Sequence, residues 1–220
     1  MTTLFVTASG TGVGKTFVTM RLIAELTQAG YRVRARKPVA SGLDAANLGD
    51  SDTAQLLRAQ GLAVDAANVD AVSPWRFAAP LSPDMAAARE RRTVPFDTLV
   101  AFCRASSDCD ITLIEGIGGV MAPLDATHTV LDWIAALAAP ALLVVGSYLG
   151  SLSHSLTAAA ALQQRAVPIA GIVVSESLEQ PVAVDETAAT LARFLAPIPL
   201  RVLPRNGSTP LAPLLARWLR

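Results

Sequence analysis

The chain predicts an α/β fold, a single-domain arrangement with a mostly parallel sheet and helices on both faces. Two observations predict it. Short apolar runs recur along the 220 residues with helix-length stretches between them, the pattern of right-handed strand–helix–strand crossovers. Directly after the first run comes a glycine-rich turn, Ala8-Ser9-Gly10-Thr11-Gly12-Val13-Gly14-Lys15-Thr16, where a helix is due to begin. This length suits one complete α/β domain, residues 1–220, and is short for two.

Taken in order, strands are expected over 4–7, 33–37, 111–115, 141–146, 169–174 and 200–203. Helices are expected over 15–29, 52–60, 95–106, 130–137, 151–165 and 185–195. The first helix sets Phe17, Met20, Leu22, Ile23 and Leu26 at amphipathic spacing. Residues 133–153 carry no charge and are long enough to suggest a membrane helix, but Pro140 and Gly146 divide them into a helix and a buried strand. Continuous apolar strands are what a parallel sheet covered on both faces requires. Residues 63–92 hold several prolines and fit neither period, so they are expected to form a long connection or an excursion beside a substrate.

Composition narrows the function. Lysine plus arginine number 18 and aspartate plus glutamate 18, which leaves no broad basic surface for nucleic acid and no acidic tail. The two cysteines, Cys103 and Cys109, lack metal-pair spacing and suggest no disulfide framework. Met1-Thr2-Thr3-Leu4 lacks the basic start of a signal peptide, so a cytoplasmic protein without membrane attachment is expected.

The chemistry is read from the turn. In a phosphate-binding loop, glycines allow tight backbone angles, the amides point inward, and the following helix adds the positive end of its dipole. Lys15 is placed to reach the β- and γ-phosphates and Thr16 to hold Mg²⁺, although Ser9 stands where the common pattern has glycine. Glu115 closes an apolar strand, Ile111-Thr112-Leu113-Ile114, as a Walker B acid does, and can hold the same cation. Asp52 is open between a metal ligand and a helix cap. Lys37, at another strand end, would stabilise charge built up in phosphoryl transfer, with Ser41 nearby in sequence. His128 and His154 show no Ser-Asp or Cys partner in sequence and no metal-ligand spacing, so local hydrogen bonds are expected of His154.

These motifs together resemble the dethiobiotin synthetases. The resemblance runs from Leu4 to about Ser175. It is carried by the loop ending Val13-Gly14-Lys15-Thr16, by Lys37-Pro38-Val39-Ala40-Ser41-Gly42, by Ser51-Asp52 and by Ser73-Pro74 with Phe77-Ala78-Ala79-Pro80 and Ser82-Pro83. Glu115-Gly116-Ile117-Gly118-Gly119, Asp132-Trp133 and Leu149-Gly150-Ser151-Leu152-Ser153-His154 complete it.

The resemblance implies ATP- and Mg²⁺-dependent closure of 7,8-diaminononanoate with CO2 to dethiobiotin, ADP and phosphate. By position, it implies catalytic roles for Lys37, Lys15 and Thr11 and metal-binding roles for Thr16, Asp52 and Glu115. Nucleotide contacts fall on Gly12, Val13, Gly14, Lys15, Thr16, Phe17, Glu115, Gly118, Ser175 and Pro204. Substrate contacts fall on Thr11, Lys37, Ser41 and Gly118, with Leu149, Gly150, Ser151, Leu152 and Ser153 meeting the substrate carboxylate across a homodimer interface.

This chain departs from the resembling family at Ala8, often glycine there, and at Gly12, often glutamate. It also has Ser175 in place of a base-reading asparagine, and a divergent segment Leu203-Pro204-Arg205-Asn206-Gly207. Looser base selectivity is therefore expected. The competing functions are a partition-type ATPase switch and another ATP-dependent ligase. Against the switch, residues 211–220 are short and bear only two arginines, far from a basic amphipathic membrane helix.

Overall fold

The structure, a computed structural model, describes residues 2–43, 46, 48–105 and 108–219. In chain order the strands are β1 (Thr2–Ala8), β2 (Val33–Arg36), β3 (Val39–Ser41), β4 (Trp75–Phe77), β5 (Ile111–Glu115), β6 (Ala141–Val145), β7 (Ile169–Ser175) and β8 (Leu200–Leu203). The helices are α1 (Lys15–Gln28), α2 (Asp52–Ala59), α3 (Ala66–Val72), α4 (Pro83–Arg89), α5 (Phe96–Arg104), α6 (Val130–Leu137), α7 (Ser151–Gln164) and α8 (Val184–Leu195).

Six strands form a parallel sheet in the order β2-β5-β1-β6-β7-β8, so the turn after β1 opens where the chain departs to opposite sides. The central strands are buried along their length, and alternate residues serve opposite cores. Leu4, Val6, Leu142 and Val144 pack with Val18, Leu22 and Leu26 of α1 on one face. On the other, Phe5, Leu143 and Val145 pack with Leu99, Trp133, Leu162 and Leu191 of α5 to α8. Trp133 meets Phe5 edge to face at 4.8 Å between ring centroids, and Thr129 and Asp132 close a capping box at the start of α6.

Residues 63–92, expected to follow neither period, contain regular elements, α3, β4 and α4. Strand β4 pairs in parallel with β3 to make a separate two-stranded sheet. Both strands have three residues, too short for a period-2 signal to stand out beside prolines. The prolines instead mark an element start: Pro83 sits in the first turn of α4, where its missing N–H costs nothing. β2 ends at Arg36, so Lys37, expected as the last residue of that strand, lies just beyond it. Ser106, expected at the end of α5, lies outside the described residues.

Candidate active site

Three clefts line up along the carboxyl edge of the sheet. The middle one, about 300 Å³, is lined by Thr11, Gly12, Gly14, Lys15, Thr16, Lys37, Ser41, Asp52, Ile117 and Gly118. It shares Gly12 and Gly14 with a cleft of about 720 Å³ that also takes in Val13, Phe17, Tyr148, Ser175, Glu176 and Pro204. It shares Thr11, Ser41, Ile117 and Gly118 with a cleft of about 620 Å³ on its other side, walled by Pro80, Leu81, Met121, His154 and Ala158. The β3–β4 excursion thus contributes Ser41 and, with the chain after it, one wall of the third cleft.

The middle cleft is a cradle of buried charge. Glycine at position 14 takes φ +94° as the cap of α1, and a Cβ there would come within 2.9 Å of the Ser175 hydroxyl. That close approach and the left-handed backbone both call for glycine. The following residue, Lys15, is buried, and its ammonium donates to the Gly118 carbonyl at 2.7 Å. Burial, and next the positive charge of Lys37, lower its pKa to about 8.

Glu115 is fully buried at the end of β5 and ties the cradle together. Its Oε1 accepts from the Thr16 hydroxyl at 2.7 Å and from Lys37 Nζ at 2.6 Å. Lys37 also meets Asp52 at 3.0 Å. Burial works against the Lys37 charge, but Glu115 and Asp52 outweigh it and hold the pKa above the usual lysine value. Burial likewise opposes the Asp52 charge, and Lys37, Thr16 and Lys15 overcome it to hold that carboxyl below its usual range. The helix-cap alternative for Asp52 falls to its neighbour: Ser51 is the cap of α2, accepting from the Ala54 amide at 3.2 Å.

The donor set fits a Mg²⁺ ion. Glu115 Oε2 is buried with no hydrogen-bond partner, an acceptor that a hard cation would satisfy. Among the described residues no three acids, histidines or cysteines gather as an all-protein cage. A hydroxyl and two carboxylates suit Mg²⁺, which takes few protein ligands and completes its shell with phosphate oxygens and water.

Ser175 and Pro204 line the same side cleft as Val13 and Phe17, so these sequence-selected residues come together there. Gly12 lines this cleft and the cradle. Leu149, Gly150, Ser151, Leu152 and Ser153 line none of the three clefts. They form the start of α7, with Leu149 84% exposed and Leu152 37% exposed. Their neighbour His154 faces the third cleft and pairs with the Tyr148 hydroxyl at 2.9 Å, the local bond expected of it.

His128 also makes local contacts. Asp125, three residues earlier, holds its Nδ1 at 2.9 Å, and the ring stacks on Phe96 at 3.9 Å. The i, i+3 spacing was visible in the sequence, but the pair lines none of the three clefts. Tyr148, Glu176, Ser177, Arg205 and Asn206, all lining the first side cleft, were missed as site residues. Their only signal was position just after a strand.

Fold and cradle define a P-loop protein that handles a nucleoside triphosphate, and a family model described as an AAA domain matches residues 2–215. Two solved structures share this fold with a TM-score of 0.50. One is the cell division ATPase MinD of Pyrococcus furiosus, at 18% identity over 94% of this chain and 84% of its own. The other is a chain of the MinC:MinD complex of Aquifex aeolicus, at 14% identity over 99% and 86%. Much greater similarity lies elsewhere. ATP-dependent dethiobiotin synthetase BioD of Acidiphilium cryptum is 48% identical over 90% of this chain and 91% of its own length. The BioD of Methylobacterium nodulans is 47% identical over 96% of each. The chain belongs to the dethiobiotin synthetase family.

Proposed function

We propose that this chain carries out the ATP- and Mg²⁺-dependent closure of 7,8-diaminononanoate with CO2 to dethiobiotin, ADP and phosphate. The single observation that carries the reading is the alignment of the clefts. A cradle with two buried lysines joins an open cleft of base size to a cleft walled by apolar side chains.

The base and sugar occupy the cleft of Ser175 and Pro204, the triphosphate lies over Lys15, and the carbon chain of the diamine lies against Pro80, Leu81 and Met121. One substrate amine adds to CO2 and loses a proton, giving a carbamate. A carbamate oxygen attacks the γ-phosphorus, ADP leaves, and a carbamic-phosphoric anhydride forms. The second amine attacks its carbonyl carbon; phosphate leaves with the C–O bonding pair, the amine loses a proton, and the urea ring is closed.

Carbamate and triphosphate are both anions, and their repulsion is offset by Lys15 and Lys37. The same positive charges disfavour protonation of a nearby amine and keep it nucleophilic. Thr11, Ser41 and Gly118 line the junction where the two reactants would meet. Thr16, Asp52 and Glu115 would hold Mg²⁺, which supplies further charge neutralisation on the phosphate oxygens when bound.

The test is incorporation of labelled bicarbonate into acid-stable product with 7,8-diaminononanoate, ATP and Mg²⁺. Diamine-dependent fixation is expected in the wild type, and its collapse in Lys37→Gln. Fixation unaffected by that substitution would keep the activity and discard the role of Lys37. No fixation by folded, nucleotide-binding protein would overturn the function.

The active unit in this reading is a homodimer. The exposed leucines at the start of α7 support it. The amides of Gly150, Leu152 and Ser153 would receive the substrate carboxylate bound to the partner, the Ser151 amide being taken by the Tyr148 carbonyl at 3.0 Å. Mixing inactive Lys37→Gln protein with a variant altered at residues 149–153 should restore activity to the hybrid. No restoration would argue for sites complete within one protomer. Cytoplasmic placement fits the cysteine usage, and among the described residues no helix is long and apolar enough to cross a membrane.

A further inference from the structure

We infer that Glu176 is a positioning residue for nucleoside-base recognition, acting by clasping the loops that form the base cleft. The inference rests on the reading of that cleft given above.

Besides the loop before α1, the cleft is built from chain segments following β6, β7 and β8. The ladder holds the last two as far as the Glu176 amide, which donates to the Leu203 carbonyl at 3.0 Å. Beyond that, nothing in the sheet itself fixes how the three segments stand relative to one another. A continuous hydrogen-bond relay does. Ser147 donates its amide to Ser177 Oγ at 2.9 Å, and Ser177 donates its amide to Ser147 Oγ at 3.0 Å. Ser147 Oγ donates to Gln180 Oε1 at 2.7 Å, and Gln180 Nε2 donates to Glu176 Oε1 at 2.9 Å. The other carboxylate oxygen, Oε2, accepts from the Arg205 amide at 2.9 Å. One carboxylate therefore joins the segment after β8 to the other two.

The position of that last bond gives it leverage. Pro204 has no N–H, so Arg205 offers the first amide beyond β8. The Gly207 amide donates to the Pro204 carbonyl at 3.0 Å and closes a tight turn, so fixing Arg205 fixes Pro204 to Gly207 as a unit. At position 175 the serine side chain is short, and it already packs against the glycine that caps α1. Contacts to a base edge then fall to other groups carried on these segments, whose precision depends on how firmly the segments are held. Hydrogen bonds to a carboxylate are stronger than neutral ones, which makes Glu176 the strongest link in the relay.

Binding of ADP and of pyrophosphate, measured by calorimetry on the intact protein, separates base from phosphate recognition. Glu176→Ala should weaken ADP about tenfold while pyrophosphate stays within about twofold. In turnover, KM for ATP should rise far more than kcat falls. Glu176→Gln should keep most of the affinity. Its oxygen can accept from Arg205, and its nitrogen can donate to Gln180 once that amide turns over and donates to Ser147.

Equal weakening of ADP and pyrophosphate by Glu176→Ala, or failure of Gln to rescue, would reduce Glu176 to general structural support and overturn the inference. Unchanged ADP binding in Glu176→Ala would overturn it while leaving the base cleft intact. Wild-type protein that binds ADP no more tightly than pyrophosphate would overturn the base-cleft reading, and the inference with it.

Discussion

The charged cradle and the cleft proposed for the base share Gly12 and Gly14, yet they are held together by different means. In the cradle, Lys15, Lys37 and Glu115 are buried charges whose places follow from the end of β5, the start of α1 and the residue after β2. In the base cleft, the ordering contacts run between loops, through Ser147, Ser177, Gln180 and one carboxylate. A group anchored at the end of a buried strand has little room to drift, whereas a loop holds its shape only while its cross-links hold. The departures at Ser175 and Leu203-Pro204-Arg205-Asn206-Gly207 fall in the second region. The two regions should therefore respond differently to substitution.

The largest effect is expected in the cradle. Lys37→Gln should lower kcat by about 10²–10³-fold, the usual scale for removing one group that stabilises transition-state charge. Single-turnover product formation checks this, and a loss confined to KM would place Lys37 in binding instead. Next comes stability. Glu115→Leu removes a buried partner of Lys37 and should cost about 3 kcal/mol in urea unfolding. A change under about 1 kcal/mol would mean that Asp52 alone satisfies the lysine.

Changes in the base cleft should be gentler and selective. Ser175→Asn should raise the preference for ATP over CTP and GTP about fivefold, measured as ratios of kcat/KM. A wild type that already strongly prefers ATP would sink the expectation of loose selectivity. The smallest effect belongs to the surface. Arg32, by side-chain hydrogen bonds, lowers the Asp110 pKa to about 2. Because the folded value lies below the unfolded one, this pair adds stability above about pH 4 and loses it as pH falls toward 2. The small Tm gap between wild type and Asp110→Asn should close over that interval, and a gap that persists at the lowest pH would assign it to packing.

How much was legible can be judged from particular residues. Lys15, Thr16 and Glu115 follow from local motifs, because a phosphate loop and a strand-end acid sit at fixed places in a parallel sheet. The expected main-sheet strands and helices appear with boundaries shifted by a residue or two, since long apolar periodicity survives single exceptions. β3 and β4 escaped because three-residue strands pair across 36 positions of sequence, Val39 with Trp75, without a periodic signal. Glu176 escaped because its chemistry depends on Arg205 and Gln180 arriving beside it.

By itself the sequence determined the parallel α/β sheet, the phosphate loop with Lys15 and Thr16, and the strand-end acid Glu115. These rest on periodicity and on spacing within a few residues, which the backbone converts directly into geometry. Tertiary structure alone decided that Lys37 meets both Asp52 and Glu115, that Ser175 abuts Gly14, and that the Glu176 carboxylate reaches the Arg205 amide. Those contacts join segments far apart in the chain, and only the packing of the folded sheet brings them within hydrogen-bonding distance.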